Sequence, residues 1–576
     1  MLLTAAVLST ACHKSLERDA EPGFIEGETG YVNISINLPT TSGNLTKAEE
    51  VFDAGSLEEY EVNEAIVALF YGETSGTAKC YAAFSMSASD FQVLEETDNV
   101  AVKYATGVRM IPAPDEGENV YALAILNPNG RYGVKGGSSA AESINTAVNG
   151  RLVYYDSNQE ETDLTGKSMF SINKAFKSEN VSDVIGDGFM MTNAPVSNYP
   201  AYTLGNMPED FNVNTLPELT VYHDINTAQG AAAANPVYVQ RVVAKTSLKV
   251  SDVQYSVTGN NGMYDGATVT FTGWAIQNAN KFYYPVPTAE FHAAYTWNKW
   301  INNFNESPSF AGTETNRFIG TVSPYRVYWS ADYNYGDVAS FELDNHFKII
   351  RNDAEAEWKN VTVGNEEYNE GNVAYCYENT TEAQEMTCDH LTSLLIKAKF
   401  SPAGIDGSFF IMNSTSAMTS EDAFVAWAQE LVAGVTLNPD AAGGSFTTVE
   451  ELMVLLSGCD EEGAWKILDA AGGMLNYYKD GICYYNVFIE HFGDAQTPLD
   501  GKSIVRKSDY DEVKHLGRYG VMRNNWYELS VSSVSGPGSP EVPELPSDDP
   551  VDKRDNYINC QLSLLSWAKR VQDVIL

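Results

Sequence analysis

The stretch Gly30-Tyr31-Val32-Asn33-Ile34-Ser35-Ile36-Asn37-Leu38-Pro39 decides the fold. Val32, Ile34, Ile36 and Leu38 alternate with Asn33, Ser35 and Asn37, and Pro39 stops the run. A period of two sends alternate side chains to opposite faces, so this is a half-buried β-strand and not a helix. Runs of the same kind, broken by Gly, Asn, Asp, Ser and Pro, recur along the chain. The spacing predicts strands over Ala65–Tyr71, Val100–Tyr104, Val120–Leu126, Val237–Val250, Ala267–Ile276, Leu394–Phe400, Tyr484–Ile489, Trp526–Val534 and Ile558–Leu564. Their number and their β-branched and aromatic content indicate β-sandwiches. Helical signals are fewer and late. Ser420-Glu421-Asp422 opens Ala423–Val435, Thr447-Thr448-Val449-Glu450 opens a run to Leu456, and Glu461–Ala471 follows. Ala289–Asn303 is a weaker helical candidate. The fold class expected is all-β with minor helical insertions.

The 576 residues include 36 Lys and Arg against 77 Asp and Glu, a formal net charge of −41. A nucleic-acid binder needs a basic face to displace counterions from phosphates, and a peripheral protein on anionic lipid needs a polybasic patch, so both classes are excluded. With 44% hydrophobic and only 20% charged residues, the chain is folded and carries its acid on a solvated exterior. At roughly 100–200 residues per domain, the length gives more than one core.

At the start, Leu2, Leu3, Ala5, Ala6, Val7 and Leu8 form an apolar run that ends in Ser9-Thr10-Ala11-Cys12. Small residues leading into a cysteine are similar to a bacterial lipoprotein signal, with residues 1–11 removed and Cys12 lipidated. The run is short, no Lys or Arg precedes it, and Ser9 stands where Leu is commoner. No other stretch reaches the roughly 18–20 apolar residues of a membrane helix.

The remaining cysteines, Cys80, Cys376, Cys388, Cys459, Cys483 and Cys560, form no CxxC pair and read as small hydrophobes more than as a disulfide framework. Cys388-Asp389-His390 has no second ligand cluster at a useful spacing. Gly166-Lys167-Ser168 and Gly501-Lys502-Ser503 lack the upstream glycine of a phosphate loop, because Glu161 and Gln496 sit there. Neither GxSxG nor HExxH occurs, and no EF-type spacing organises the acids. No catalytic residue, metal site or cofactor is expected, and the chain reads as a non-enzyme.

Two boundaries stand out. Asp224–Pro236 ends in an alanine run before a strand-like stretch, which places a division near residue 240 between domains 48–240 and 241–535. Between Gly536 and Pro550, five prolines alternate with small and acidic residues. Proline donates nothing to a β-ladder and favours extended backbone, so 536–555 reads as a semi-rigid linker. The segment beyond it, 556–576, is apolar, with Ile558, Cys560, Leu562 and Leu564 on one face and then Trp567, Val571 and Leu576. It must bury itself somewhere.

The first strand poses the mirror-image question. It is followed by a polar stretch, Thr40–Glu50, that carries one basic residue, Lys47. Such stretches are where trypsin-like proteases cut. A cut between Lys47 and Ala48 removes 12–47 as a propeptide, with Val32, Ile34, Ile36 and Leu38, and opens a groove that templates β-augmentation. The linker-tethered C-terminus of another copy is a candidate filler, and a head-to-tail contact that does not close makes a filament. The plain alternatives are an ordinary first strand that stays in place, a solvated loop lysine, and a C-terminus paired within its own domain.

The chain resembles the fimbrillins, subunits of type V pili of anaerobic Gram-negative bacteria, and in particular the larger shaft subunits. The resemblance rests on motifs in order: the lipoprotein cysteine, Gly30–Ile36, the basic position before an acidic segment leading to Glu64–Phe70, Val120–Pro128, Arg241–Lys245, Gly520–Tyr527, Leu564-Leu565-Ser566-Trp567 and Val571–Leu576. It implies two β-sandwich domains of transthyretin-like topology and export as an outer-membrane lipoprotein that ends in the cell-surface fimbria. It also implies cleavage by a trypsin-like outer-membrane protease. Many members carry Arg at the cut where this chain has Lys47. The C-terminal segment is the implied donor strand, with Leu562, Leu564, Trp567, Val571 and Leu576 filling the groove of the next copy. Partners implied are other copies of itself and tip and anchor subunits, and the expected role is adhesion and biofilm formation. The alternative is a monomeric surface lipoprotein or a tip adhesin that binds glycan or host protein.

Overall fold

The computed structural model describes residues 24, 27–39, 59, 61–90, 92–94, 100–139, 142–201, 208, 211–231, 236–259, 262–288, 317–321, 324–335, 342–553 and 558–565. The expected all-β chain with minor helical insertions is what it contains. The weaker helical candidate, Ala289–Asn303, lies outside the described residues.

A nine-stranded sheet forms the first half. In chain order its strands are β1 (Thr29–Pro39), β2 (Glu64–Gly72), β3 (Lys79–Ser87), β4 (Gln92–Leu94), β5 (Val100–Pro112), β6 (Asn119–Leu126), β7 (Met191–Asn193), β8 (Glu218–Leu219) and β9 (Val237–Arg241). They lie in the order β3-β2-β6-β7-β9-β1-β5-β4, with β8 paired to β6. β2 and β6 are buried along almost their whole length, which accounts for their continuous apolar runs. Val32, Ile34 and Ile36 of β1 share one core with Leu69, Phe84 and Leu123 of β2, β3 and β6, so the path folds over itself around that core. Gly72 closes the β2–β3 connection, and a Cβ there would stand 2.7 Å from the Ala78 Cα.

The chain passes to the second half at Val242. β10 (Val243–Val250) runs parallel to a strand near the chain's end, β17 (Trp526–Val534), with Lys245 opposite Trp526. The facing sheet has the order β11 (Gln254–Ser256), β12 (Thr268–Gln277), β15 (Ser393–Ser401), β16 (Ile482–Phe488). β13 (Thr362–Val363) and β14 (Val373–Tyr377) also pair with β10. Leu248, Leu529 and Val531 from one sheet meet Phe271, Ile396 and Phe400 from the other in a common core, the arrangement of a sandwich. β18 (Ile558–Leu565) closes the first of these sheets as an edge strand on β17.

The helical insertion has its own core around Phe410, Phe424, Leu452 and Ile467. Helix α1 (Glu421–Leu431) starts where expected because the Ser420 hydroxyl accepts from the Ala423 amide. It stops four residues short of Val435, as the chain turns extended at Val432 and Gly434 takes φ +80. α2 (Val449–Leu455) opens with a full capping box of Thr448 and Glu451, and α3 (Glu461–Ala470) is capped by Asp460.

Three differences from the sequence reading have physical causes. β5 runs on to Pro112 instead of ending at Tyr104, because its antiparallel pairing with β1 continues past a bulge where Gly107 takes φ +65. Lys79–Ser87 and Phe409–Met412 are strands that carry no polar–apolar signal long enough to read. The proline-rich stretch is docked on the second sandwich and is not a free spacer. Ser539 and Tyr484 exchange both backbone hydrogen bonds at 2.8 Å, and the Tyr485 and Tyr478 hydroxyls donate to the Gly536 and Gly538 carbonyls at 3.0 and 2.9 Å. Val542 is buried beside Ala275, Leu395 and Tyr484. Prolines remove donors, but their carbonyls and the intervening Ser539 remain available.

Candidate functional site

β1 is an interior strand built at the chain's N-terminal side. It runs antiparallel to β5 from Thr29 opposite Pro112 to Pro39 opposite Val100, and parallel to β9 at Ile36 and Asn37. Val32, Ile34 and Ile36 are fully buried. The polar positions between them are also engaged. The Asn33 amide donates to the Ala228 and Ala231 carbonyls at 3.3 and 3.4 Å, and the Ser35 hydroxyl to the Asn37 side chain at 2.8 Å. Ala228 belongs to a short helix, Ile225–Gly230, whose N-cap Asp224 lies in the stretch read as a boundary. Tyr31 and Tyr222 exchange backbone hydrogen bonds at 2.8 Å each. Gly30 permits this approach, since a Cβ there would lie 2.4 Å from Val221. Burying a large aliphatic side chain contributes about 1.5–3 kcal/mol, so Val32, Ile34 and Ile36 together supply roughly 5–9 kcal/mol. That is comparable with the whole stability of a typical domain.

β18 is the counterpart at the other end. It lies antiparallel on β17 with Leu562 opposite Leu529 and Leu564 opposite Tyr527. Just before it the chain is pinned at Asp552. The Arg518 guanidinium grips this carboxylate with two hydrogen bonds of 3.0 and 3.1 Å, and the hydroxyls of Tyr510 and Tyr519 donate to it at 2.9 and 2.8 Å. The Cys388 amide holds the Asp549 carbonyl at 3.0 Å. The Cys388-Asp389-His390 triplet is therefore buried structure against the C-terminal segment.

A third constellation joins the two halves. Lys245 lies 2.8 Å from the Glu59 carboxylate and 3.8 Å from the ring centre of Trp526. Tyr375 also donates to Glu59 at 2.5 Å, and Arg241 spans the Glu59 carbonyl and the Asn524 side chain. Burial pushes the Glu59 carboxyl up, but Lys245, Tyr375 and Arg241 outweigh it and hold it below the usual carboxylate range. Arg523 forms a second buried ion pair with Glu378 at 3.0 Å. Thus the Arg241–Lys245 and Gly520–Tyr527 motifs, read separately from the sequence, meet in space.

Of the residues singled out by sequence, Val32, Ile34 and Ile36 are buried in β1. Leu38, Leu562 and Leu564 are placed by strand register opposite Val102, Leu529 and Tyr527. Cys12, Lys47, Ala48, Trp567, Val571 and Leu576 lie outside the described residues. Cys80, Cys376 and Cys483 are packed in the two cores as small hydrophobes. Glu59 and Asp552 were missed, since nothing in their local sequence marks a carboxylate whose partners lie far away along the chain. Among the described residues, no group of three or more His, Cys, Asp or Glu is placed to hold a metal, and no helix is long and apolar enough to cross a membrane.

Residues 476–573, which span β16, β17, the Asp552 anchor and β18, match the family described as major fimbrial subunit protein type IV, fimbrillin, C-terminal. The chain is similar to a solved fimbrillin of Porphyromonas gingivalis at 12% identity, over 93% of this chain and 97% of that one, with a TM-score of 0.34. It is similar to a candidate cell adhesion protein of Parabacteroides distasonis at 12% identity, over 95% and 99% of the two chains, with a TM-score of 0.35. A C-terminally truncated tip fimbrial protein of Porphyromonas gingivalis is 11% identical over 94% and 100% of the two chains, with a TM-score of 0.30. No curated protein matches the chain.

Proposed function

We propose that this chain is a fimbrial subunit of the fimbrillin kind, that it forms the shaft of a type V pilus and that it polymerises by protease-triggered strand exchange; the match of residues 476–573 to the fimbrillin C-terminal family supports the reading. In this reading the protein is exported as an outer-membrane lipoprotein on Cys12, and a trypsin-like protease cuts between Lys47 and Ala48. The trimmed subunit accepts the C-terminal segment of another copy, with Leu562, Leu564, Trp567, Val571 and Leu576 as filling side chains. Tip and anchor subunits complete the fimbria, which serves adhesion and biofilm formation.

The observation that carries this reading is the position of β1. It is interior, flanked by β5 and β9, and its apolar side chains are fully buried. Excising it leaves two unsatisfied ladder edges and removes burial comparable with a domain's net stability, so the trimmed chain has a strong drive to recruit a replacement strand. An edge strand near the chain's other end, β18, supports the donor role, because among the described residues it has only one neighbour to give up.

N-terminal sequencing of protein extracted from the cell surface tests the proposal. The expected start is Ala48. Surface fimbriae built of chains that still carry Val32–Leu38 would contradict it.

A further inference from the structure

We propose that the incoming C-terminal strand takes the place of β1 in the same direction and in one register, with Tyr557 at the position of Tyr31 and Leu564 at that of Leu38. This rests on the strand-exchange reading above and specifies its joint.

The two segments correspond position by position. Tyr31-Val32-Asn33-Ile34-Ser35-Ile36-Asn37-Leu38 stands against Tyr557-Ile558-Asn559-Cys560-Gln561-Leu562-Ser563-Leu564. Tyr, Asn and Leu are identical at the first, third and last positions, every apolar residue meets an apolar one, and every amide or hydroxyl meets another. The pattern has a direction: with the same ends reversed, Ser563, Gln561 and Asn559 would fall on the places of the buried Val32, Ile34 and Ile36.

The slot itself selects the register. A slip of one residue sends the same polar side chains into the core. A slip of two keeps the alternation but loses the Asn33 contacts. In β1 that amide holds the Ala228 and Ala231 carbonyls of the neighbouring helix, and only the unslipped register presents another asparagine, Asn559, to them. The slot also sets the direction of exchange. In its own subunit β18 is an edge strand that, among the described residues, pairs with β17 alone, whereas the place of β1 offers β5 on one side and β9 on the other. The strand thus moves from a one-sided to a two-sided ladder.

The correspondence is imperfect at one position. Cys560 matches Ile34, which is fully buried, and a cysteine leaves part of that volume unfilled.

Two measurements on the full-length chain, trimmed after Lys47, test the register. Asn37 lies opposite Lys103 on β5, and Asn33 opposite Val108. In the double variants Lys103→Cys/Ser563→Cys and Val108→Cys/Asn559→Cys, oxidised ladders should contain these disulfides, identified by mass spectrometry, and only after trimming. The slipped pairs Ala105→Cys/Ser563→Cys and Val100→Cys/Ser563→Cys, which face the places of Ser35 and Pro39, should not link. In parallel, Cys560→Ile should raise the temperature at which ladders dissociate in SDS. Ladders whose disulfides form at the slipped pairs overturn the register and leave strand exchange standing. A trimmed chain that forms no ladder overturns both.

Discussion

Lys245 and Glu59 make a deeply enclosed ion pair between the two halves of the molecule. Both side chains are almost wholly enclosed, at 4% and 3% exposure. Removing one partner from such a pair strands a charge that has already lost its water, at a cost of about 3–5 kcal/mol, while replacing both often costs little. Lys245→Met should lower the urea-unfolding free energy by that order, and Lys245→Met/Glu59→Leu should recover most of it. Glu490 gives a pH signature of the opposite sense. Burial pushes its carboxyl up to about 7, with Arg518 opposing and Asp494 and Asp552 adding to the rise. One of its oxygens has no hydrogen-bond partner among the described residues. A carboxyl raised in the folded state stabilises fully below its unfolded value near 4.5, and that contribution is lost as pH rises through about 7. Glu490→Gln should therefore be more stable than the native chain at pH 8, by an order of 3 kcal/mol at most. Thermal unfolding should show the two converge by pH 5.

The C-terminal approach depends on an element that looks like a spacer in sequence. Gly538 sits so close to β16 that a Cβ would lie 2.1 Å from the Tyr484 carbonyl. Gly538→Ala should lift the proline-rich segment off the sandwich and free its backbone, so that a glutamate-specific protease cuts faster after the already exposed Glu541 and Glu544, with cleavage read by mass. Unchanged cleavage would mean the segment is held elsewhere. The alternation of Val32–Leu38, Ala267–Ile276 and Trp526–Val534 was legible because each strand has one buried face, and Ser420 and Thr448 marked helix starts because capping is local. The extension of β5 was not legible, since its length is set by β1, about seventy residues earlier. Nor was the docking of Ser539 on Tyr484, because proline content reports backbone stiffness and not what the carbonyls meet. The strand β1 itself was legible from its alternation. Its supports, Asp224 and Ala228, read only as a boundary.

At the scale of the whole molecule, trimming after Lys47 removes three basic and five acidic residues, so the net charge moves from −41 only to −39. The acidity stays with the subunit. In the proposed assembly, a polymer of such subunits would be a strongly negative rod with apolar joints, and self-repulsion would keep rods apart. Light scattering should record lateral bundling as the pH approaches the sequence value of about 4.4, where the charge vanishes, and dispersal at pH 7.

The central claim is that excision of β1 and the C-terminal strand act together. Limited trypsin digestion of the full chain and of a chain ending at Tyr557, followed by SDS gels without boiling, compares them directly. Both should be cut first at Lys47, with ladders from the full chain alone. A trimmed full chain that stays monomeric, or ladders of equal length from the shortened one, would contradict it.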